Sequence, residues 1–160
     1  MNTKDALLIF STELNKRMED KGVTYRQVAL ASRVTRGSMV HYKSGNSFPE
    51  LYTLVLMADY LDCSVDDLLG HHSGYILPDR EISIQNRFAD EDEFADYVRT
   101  RLFDYMKLKH MDAEELARLT AISAKTIEMY LSVHRWVPRV PELLQICESL
   151  ECTPSELLGY

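Results

Sequence analysis

The sequence predicts an all-α chain made of two five-helix units in tandem, joined by a short linker or arm. Three observations predict it. The 160-residue chain repeats itself at an offset of 88 residues. Phe10, Leu14, Met18, Val28, Val34, Met39 and Tyr42 fall on Val98, Leu102, Met106, Leu116, Ile122, Ile127 and Tyr130. After one inserted residue in "SVHRWVPRV", Pro49, Leu54, Met57, Leu61, Cys63, Leu68 and Gly70 fall on Pro138, Leu143, Ile146, Leu150, Cys152, Leu157 and Gly159. Matched positions are mostly apolar and unmatched ones polar, so a core is what recurs. Within each copy the apolar residues also recur at spacings of three and four, and several of the runs start at a residue able to cap a helix.

In the first unit these signals give helices over about 5–20, 24–31, 35–43, 50–62 and 65–69. Leu7, Phe10, Leu14 and Met18 form one apolar stripe, which Gly22 ends. Thr24 caps the second helix, with Gln27 three residues on to complete a capping box. Val28, Ala29 and Ala31 make a small inward face that lets a following helix cross closely. Thr35 caps the third helix, with Met39 and Tyr42 inward and Arg36, Gly37, Ser38, Val40 and His41 outward. Gly45 and Pro49 break it. The fourth helix buries Leu51, Leu54, Val55, Ala58 and Leu61, and Ser64 caps the last short one.

The second unit repeats this plan at about 90–109, 112–119, 123–131, 139–150 and 154–158, with Asp112, Ser123 and Thr153 at the corresponding starts. The domain boundaries follow as 1–70, a linker at 71–93 and 94–160. Within the linker, Glu81 to Ile84 alternates like a half-buried strand, so a hairpin or extended arm competes with a plain connection. The run Asp90 to Glu93 suits the amino end of a helix.

Composition narrows the classes. With 46% hydrophobic and 27% charged residues the chain reads as a soluble globular protein. Three cysteines without a CxxC pair suggest a reducing compartment, and no apolar run is long enough to span a membrane, so a cytoplasmic address is expected. Cys63 and Cys152 occupy equivalent positions before a helix cap and read as packing groups. No phosphate-binding glycine loop, catalytic set or zinc-ligand spacing occurs, and "HHSG" at 71–74 does not make a metal site. No enzyme activity, cofactor or metal is therefore expected.

The formal net charge of −7 argues against indiscriminate coating of nucleic acid. Yet residues 33–46 carry Arg33, Arg36 and Lys43 and no carboxylate, while 71–93 hold six acidic and two basic residues. An acidic chain can thus present a local basic face. On the third helix Arg36 can fork onto the two acceptors of guanine, Ser38 can donate or accept, and Gly37 allows the backbone to approach a groove wall. His41 and Lys43 extend the positive side, and Ser44 and Asn46 can hydrogen-bond phosphate oxygens.

Residues 10–70 resemble the Cro and lambda-repressor, or Xre-like, helix-turn-helix domains. The segments "TYRQVALASRVTRGSMVHYKSGNSFPE" and "LMADYLDCSVDDLLG" carry the resemblance, with Tyr25, Arg33 and Lys43 where the family usually has glutamine, the corner glycine and glutamate. The resemblance implies a transcription regulator of the bacterial or phage type that reads double-stranded DNA. It implies base contacts by Arg36, Gly37, Ser38 and His41. Candidate backbone contacts are Thr24, Tyr25, Arg26, Thr35, Lys43, Ser44 and Asn46. Without the corner glycine, Ser32 or Arg33 would be strained if the corner requires a positive φ at either.

Residues 98–159 resemble the same domain more loosely, keeping "ELA", "TI" and "ELLG". Lys125 and Glu128 are its candidate DNA contacts; Glu128 can accept from cytosine or repel phosphate. Trp136 and Val137 are candidates either for partner contact or for the core. Two arrangements follow for the pair of units. Either both read DNA as a covalent pseudo-dimer, or the second serves self-association or a second protein, within a homo-oligomer expected to be a dimer. The competing class is an interaction module that regulates another protein without reading DNA.

Overall fold

In the computed structural model the described residues, 2–71, 87–133 and 135–160, form ten α-helices and no strand. Five of them make the first unit: α1 (Thr3–Lys21), α2 (Tyr25–Ala31), α3 (Arg36–Lys43), α4 (Leu51–Tyr60) and α5 (Val65–Leu69). The second unit holds α6 (Glu91–Leu108), α7 (Ala113–Leu119), α8 (Ala124–Tyr130), α9 (Val140–Ser149) and α10 (Pro154–Leu158). The all-α tandem read from the sequence is therefore the fold. The strand-like stretch Glu81 to Ile84 and most of "HHSG" lie outside the described residues.

The caps form as their residue types dictate. Thr24 accepts from Gln27 N–H while the Gln27 side chain accepts from Thr24 N–H, and Ser64 with Asp67 and Thr153 with Glu156 do the same. Asn2, Thr35, Asp90, Asp112 and Ser123 each accept from a backbone N–H three residues on. Asp90 thus opens α6 with Glu91, Asp92 and Glu93 in its first turn, where carboxylates complement the helix dipole. Packing of the second unit begins a little earlier, at Phe88. That residue is buried with its ring 5.4 Å from Phe94 and 5.3 Å from Tyr97, inside the stretch expected as linker.

In the first unit α1 packs on α3 and α5, and α2 on α3 and α4. Phe10, Leu14 and Met18 of the stripe are buried, as are Val28, Ala29, Met39, Leu54, Val55, Met57, Leu61 and Leu68. Cys63 is buried too, and burial pushes its thiol up to about 12, which keeps it protonated and inert, in line with a packing role. In the second unit Leu102, Met106, Leu116, Ile122, Ile127, Tyr130, Ile146 and Leu150 form the core. Its last helix has only five residues, too few to hold itself. Instead α6 holds it: Tyr97 Oη donates to Leu158 O at 2.7 Å, Arg101 Nε to Leu157 O at 2.7 Å, and Tyr105 Oη to Glu156 O at 3.0 Å.

The two corners are built differently, a difference no sequence offset reveals. After α2 the chain closes with Arg33 N–H donating to Leu30 O and Val34 N–H to Ala29 O, which places Arg33 in the left-handed region at φ 59°. The glycine usual to that corner has a physical reason, and arginine stands there under strain. After α7, Thr120 is extended instead; its hydroxyl accepts from Ile122 N–H, and Gln145 accepts from Ala121 N–H at 2.8 Å. Arg33→Gly is therefore expected to stabilise the chain. It relieves a left-handed cost of about 1–2 kcal/mol against a glycine entropy penalty of about 0.5–1 kcal/mol. Urea unfolding of the variant checks this, with a higher midpoint at unchanged slope as the expected outcome.

Candidate nucleic-acid interface

The α3 helix is mounted by one face and open on the other. Met39 is fully buried, at 0% exposure, and Tyr42 is half-buried, which roots the helix in the core. Arg36, Gly37, Val40 and His41 are exposed, and Ser38 is half-buried. The amino end is fixed by Thr35, whose hydroxyl accepts from Ser38 N–H at 3.1 Å and donates to Ser38 Oγ at 3.0 Å. At the carboxyl end Gly45 N–H donates to Tyr42 O and Asn46 N–H to His41 O, a Schellman closure that needs a left-handed residue; Gly45 supplies it at φ 72°. A side chain at Gly45 would also crowd α1, since a Cβ there would stand 3.1 Å from Ser11 Oγ.

From the neighbouring helix, Asn15 Nδ2 donates to Lys43 O at 3.0 Å and to Ser11 O at 2.7 Å. It thereby ties the last turn of α3 to α1. The sequence reading did not single out Asn15, although an asparagine in the middle of a long helix is a poor helix former and signals a side-chain task. Beside this tie lies a surface hollow of about 540 Å³ bordered by Asn15, Glu19, Thr24, Tyr25, Arg26 and Lys43.

Tyr25 organises the cations at the rim of this hollow. Arg36 Nη2 donates to its hydroxyl at 3.0 Å, and three cationic groups lie near its ring: Arg26 at 6.0 Å, Arg36 at 5.8 Å and Lys43 at 5.4 Å from the centroid. Arg26 first and Arg36 second, by hydrogen bonding to it, hold the Tyr25 hydroxyl below the usual phenol range. Tyr25 thus makes the start of α2 a platform beside which positive charge gathers. Thr24, Arg26, Ser44 and Asn46 are exposed along the same segment, with Thr35 at the cap of α3. From Thr24 to Asn46 there are four Lys or Arg residues and no carboxylate.

In the second unit the counterpart surface has a different chemistry. Lys125 and Glu128 are both exposed on α8. The positions corresponding to Tyr25, Arg26, Arg36, His41 and Lys43 are Ala113, Glu114, Ala124, Met129 and Leu131. Arg118 is engaged by Glu115 at 2.6 Å, and that contact holds the Glu115 carboxyl below its ordinary range. Arg135, in the loop after α8, reaches Asp92 at 3.1 Å and Asp96 at 3.6 Å on α6. Trp136 is 54% exposed, which removes it from the core; Val137 is half-buried.

Among the described residues no helix is long and apolar enough to cross a membrane, and no group of His, Cys, Asp and Glu is arranged to hold a metal ion. Comparison with curated proteins and with solved structures finds no match. Comparison with protein families does: the Cro/C1-type helix-turn-helix DNA-binding domain matches residues 13–73 and again residues 101–160. Those two matches span most of the chain and coincide with the two helical units, each with its short pair of helices at the corner. The chain therefore belongs to the Cro/C1-type helix-turn-helix DNA-binding family, carrying two copies of its domain.

Proposed function

We propose that the first unit is the reader of a transcription regulator and binds double-stranded DNA sequence-specifically, with α3 in the major groove. The observation that carries this is the exposed outer face of α3, rooted by Met39, within a segment from Thr24 to Asn46 that holds four Lys or Arg residues and no carboxylate. A groove about 12 Å wide admits one helix, and a base pair there displays a distinct set of donors and acceptors. Arg36 pairs with guanine O6 and N7, Ser38 and His41 contact neighbouring edges, and Gly37 permits close approach of the backbone. Thr24, Tyr25, Arg26, Thr35, Lys43, Ser44 and Asn46 take phosphates, which set register and make affinity fall with salt.

Tyr25 sharpens the division of labour. Its hydroxyl holds Arg36 beside the groove-facing side of α3 before DNA arrives, while Arg26 and Lys43 flank the hollow into which a phosphate can settle. A pre-positioned arginine loses less side-chain freedom on binding. Selection of duplexes from a randomised library by the full chain tests the reading. A short enriched motif containing guanine is the expected outcome, and recovery of no enriched sequence at any salt concentration overturns it.

A further inference from the structure

A short helix leaves its last carbonyls without intrahelical partners, and at the carboxyl end of α3 each of them is met. Val40 O accepts from Ser44 N–H at 3.1 Å, His41 O from Asn46 N–H at 3.0 Å and Tyr42 O from Gly45 N–H at 3.2 Å. The last of them is served from another helix: Asn15 Nδ2, on α1, donates to Lys43 O at 3.0 Å. A side chain 28 residues earlier in the chain therefore completes the cap that Gly45 begins.

Asn15 also borders the hollow beside Tyr25, where a phosphate contact is the obvious task for an amide. Its hydrogen bonds argue otherwise. An asparagine amide has two N–H donors, and Nδ2 commits them to carbonyls, Ser11 O at 2.7 Å and Lys43 O at 3.0 Å. Only the acceptor oxygen is left, and a backbone phosphate has no proton to give it. What the amide controls instead is Lys43, whose ammonium stands 5.4 Å from the Tyr25 ring centroid at the rim of the hollow. Glu19, a carboxylate at the same border, is a competing partner for a lysine whose backbone is free to fray.

The second unit has neither member of the pair. The 88-residue offset puts Phe103, with no hydrogen-bonding group in its side chain, at the position of Asn15 and Leu131 at that of Lys43. The tie and the cation are thus present together in one unit and absent together from the other.

We infer that Asn15 is a positioning residue for duplex binding: by capping Lys43 O from α1 it holds the last turn of α3 so that the Lys43 ammonium meets a backbone phosphate at the hollow. This rests on the reading of the first unit as the DNA-binding one. The effect is local, because Thr35 and Met39 fix the rest of α3 and Arg36 keeps its place at the other end. Asn15 therefore acts on affinity and its salt dependence, and leaves base preference alone.

Two measurements on the full chain carrying Asn15→Ala test this. Alanine is the better helix former, so α1 is retained, which far-UV circular dichroism checks. Without DNA, amide hydrogen exchange is expected to quicken at Ser44, Gly45 and Asn46 and to stay as it is at Leu54 to Met57 in α4. With a duplex from the selection and one of unrelated sequence, affinity is expected to fall about two- to tenfold on both. The salt slope decreases toward that of Lys43→Ala. In a Lys43→Ala chain, adding Asn15→Ala is expected to weaken binding by less than about twofold, because the side chain it positions is gone. Unchanged exchange at those amides, unchanged duplex affinity, a loss confined to one sequence, or losses that add fully in the double variant overturn the inference while the reading of the first unit stands. An unsubstituted chain that binds neither duplex removes that reading, and the inference with it.

Discussion

Replacing Met39 with alanine is expected to lower the unfolding free energy of the first unit by about 2–5 kcal/mol. Met39 is the one residue of α3 that is completely buried, and an eight-residue helix has no stability of its own in water. Its removal leaves a cavity under the helix and takes away the contact that holds it. A small domain has only about 5–15 kcal/mol in total, so this loss is a large fraction. Val40→Ala on the exposed side of the same helix is expected to change stability by less than about 0.5 kcal/mol. Urea unfolding followed by circular dichroism compares the two. Equal effects would mean that α3 is not anchored through Met39, and the rigid presentation of its outer face would fail with it.

Arg36→Ala is expected to cost about 1–3 kcal/mol of discrimination, roughly 5–150-fold in relative affinity, and to do so at one base pair. The guanidinium is held at the start of α3 by the Tyr25 hydroxyl, where its fork can meet the two acceptors of guanine. Lys43→Ala is expected to act otherwise, weakening all duplexes about equally and lowering the salt slope by about one. Lys125→Ala, on the exposed side of α8, is expected to change sequence preference less than Arg36→Ala, because no arginine accompanies it on that helix. Competition binding against single-base variants of a selected site, repeated at several salt concentrations, separates the three. A uniform loss across all sequences for Arg36→Ala would place that side chain on the backbone rather than on a base.

Much of the fold was legible because it is local. The pairs Thr24 with Gln27 and Ser64 with Asp67 announce helix starts by residue type alone, and both form as capping boxes. The repeat extended the same reading to α6 through α10, where Asp112, Ser123 and Thr153 cap as expected. Helix ends differ by a residue or two: α4, expected to run to 62, stops at Tyr60, while α1, expected over 5–20, runs from Thr3 to Lys21. What the sequence could not display is any property that depends on groups far apart in the chain. Tyr25 gathers Arg26, Arg36 and Lys43 only once α2 and α3 are folded together. Asn15 holds Lys43 from 28 residues away.

The two corners make the same point from the backbone. Arg33 is not a residue whose identity suggests a left-handed conformation, yet the Schellman closure after α2 requires one there. The second unit avoids the need by extending at Thr120 and recruiting Gln145. The different surface chemistry of the second unit, by contrast, was partly legible. The replacement of Arg26, Arg36 and Lys43 by Glu114, Ala124 and Leu131 can be read from the repeat, and the fold turns that substitution pattern into a surface.

The claim on which the rest depends is that α3 of the first unit, and not its counterpart α8, enters the duplex. It can be measured with a selected duplex carrying a thiol tether on a major-groove base edge, offered to chains with Ser38→Cys or Thr126→Cys. The unsubstituted chain, with its three native cysteines, gives the background. The expected result is a salt-resistant disulfide crosslink from Ser38→Cys and only background from Thr126→Cys; crosslinking from Thr126→Cys alone, or from neither on a duplex the chain demonstrably binds, contradicts it.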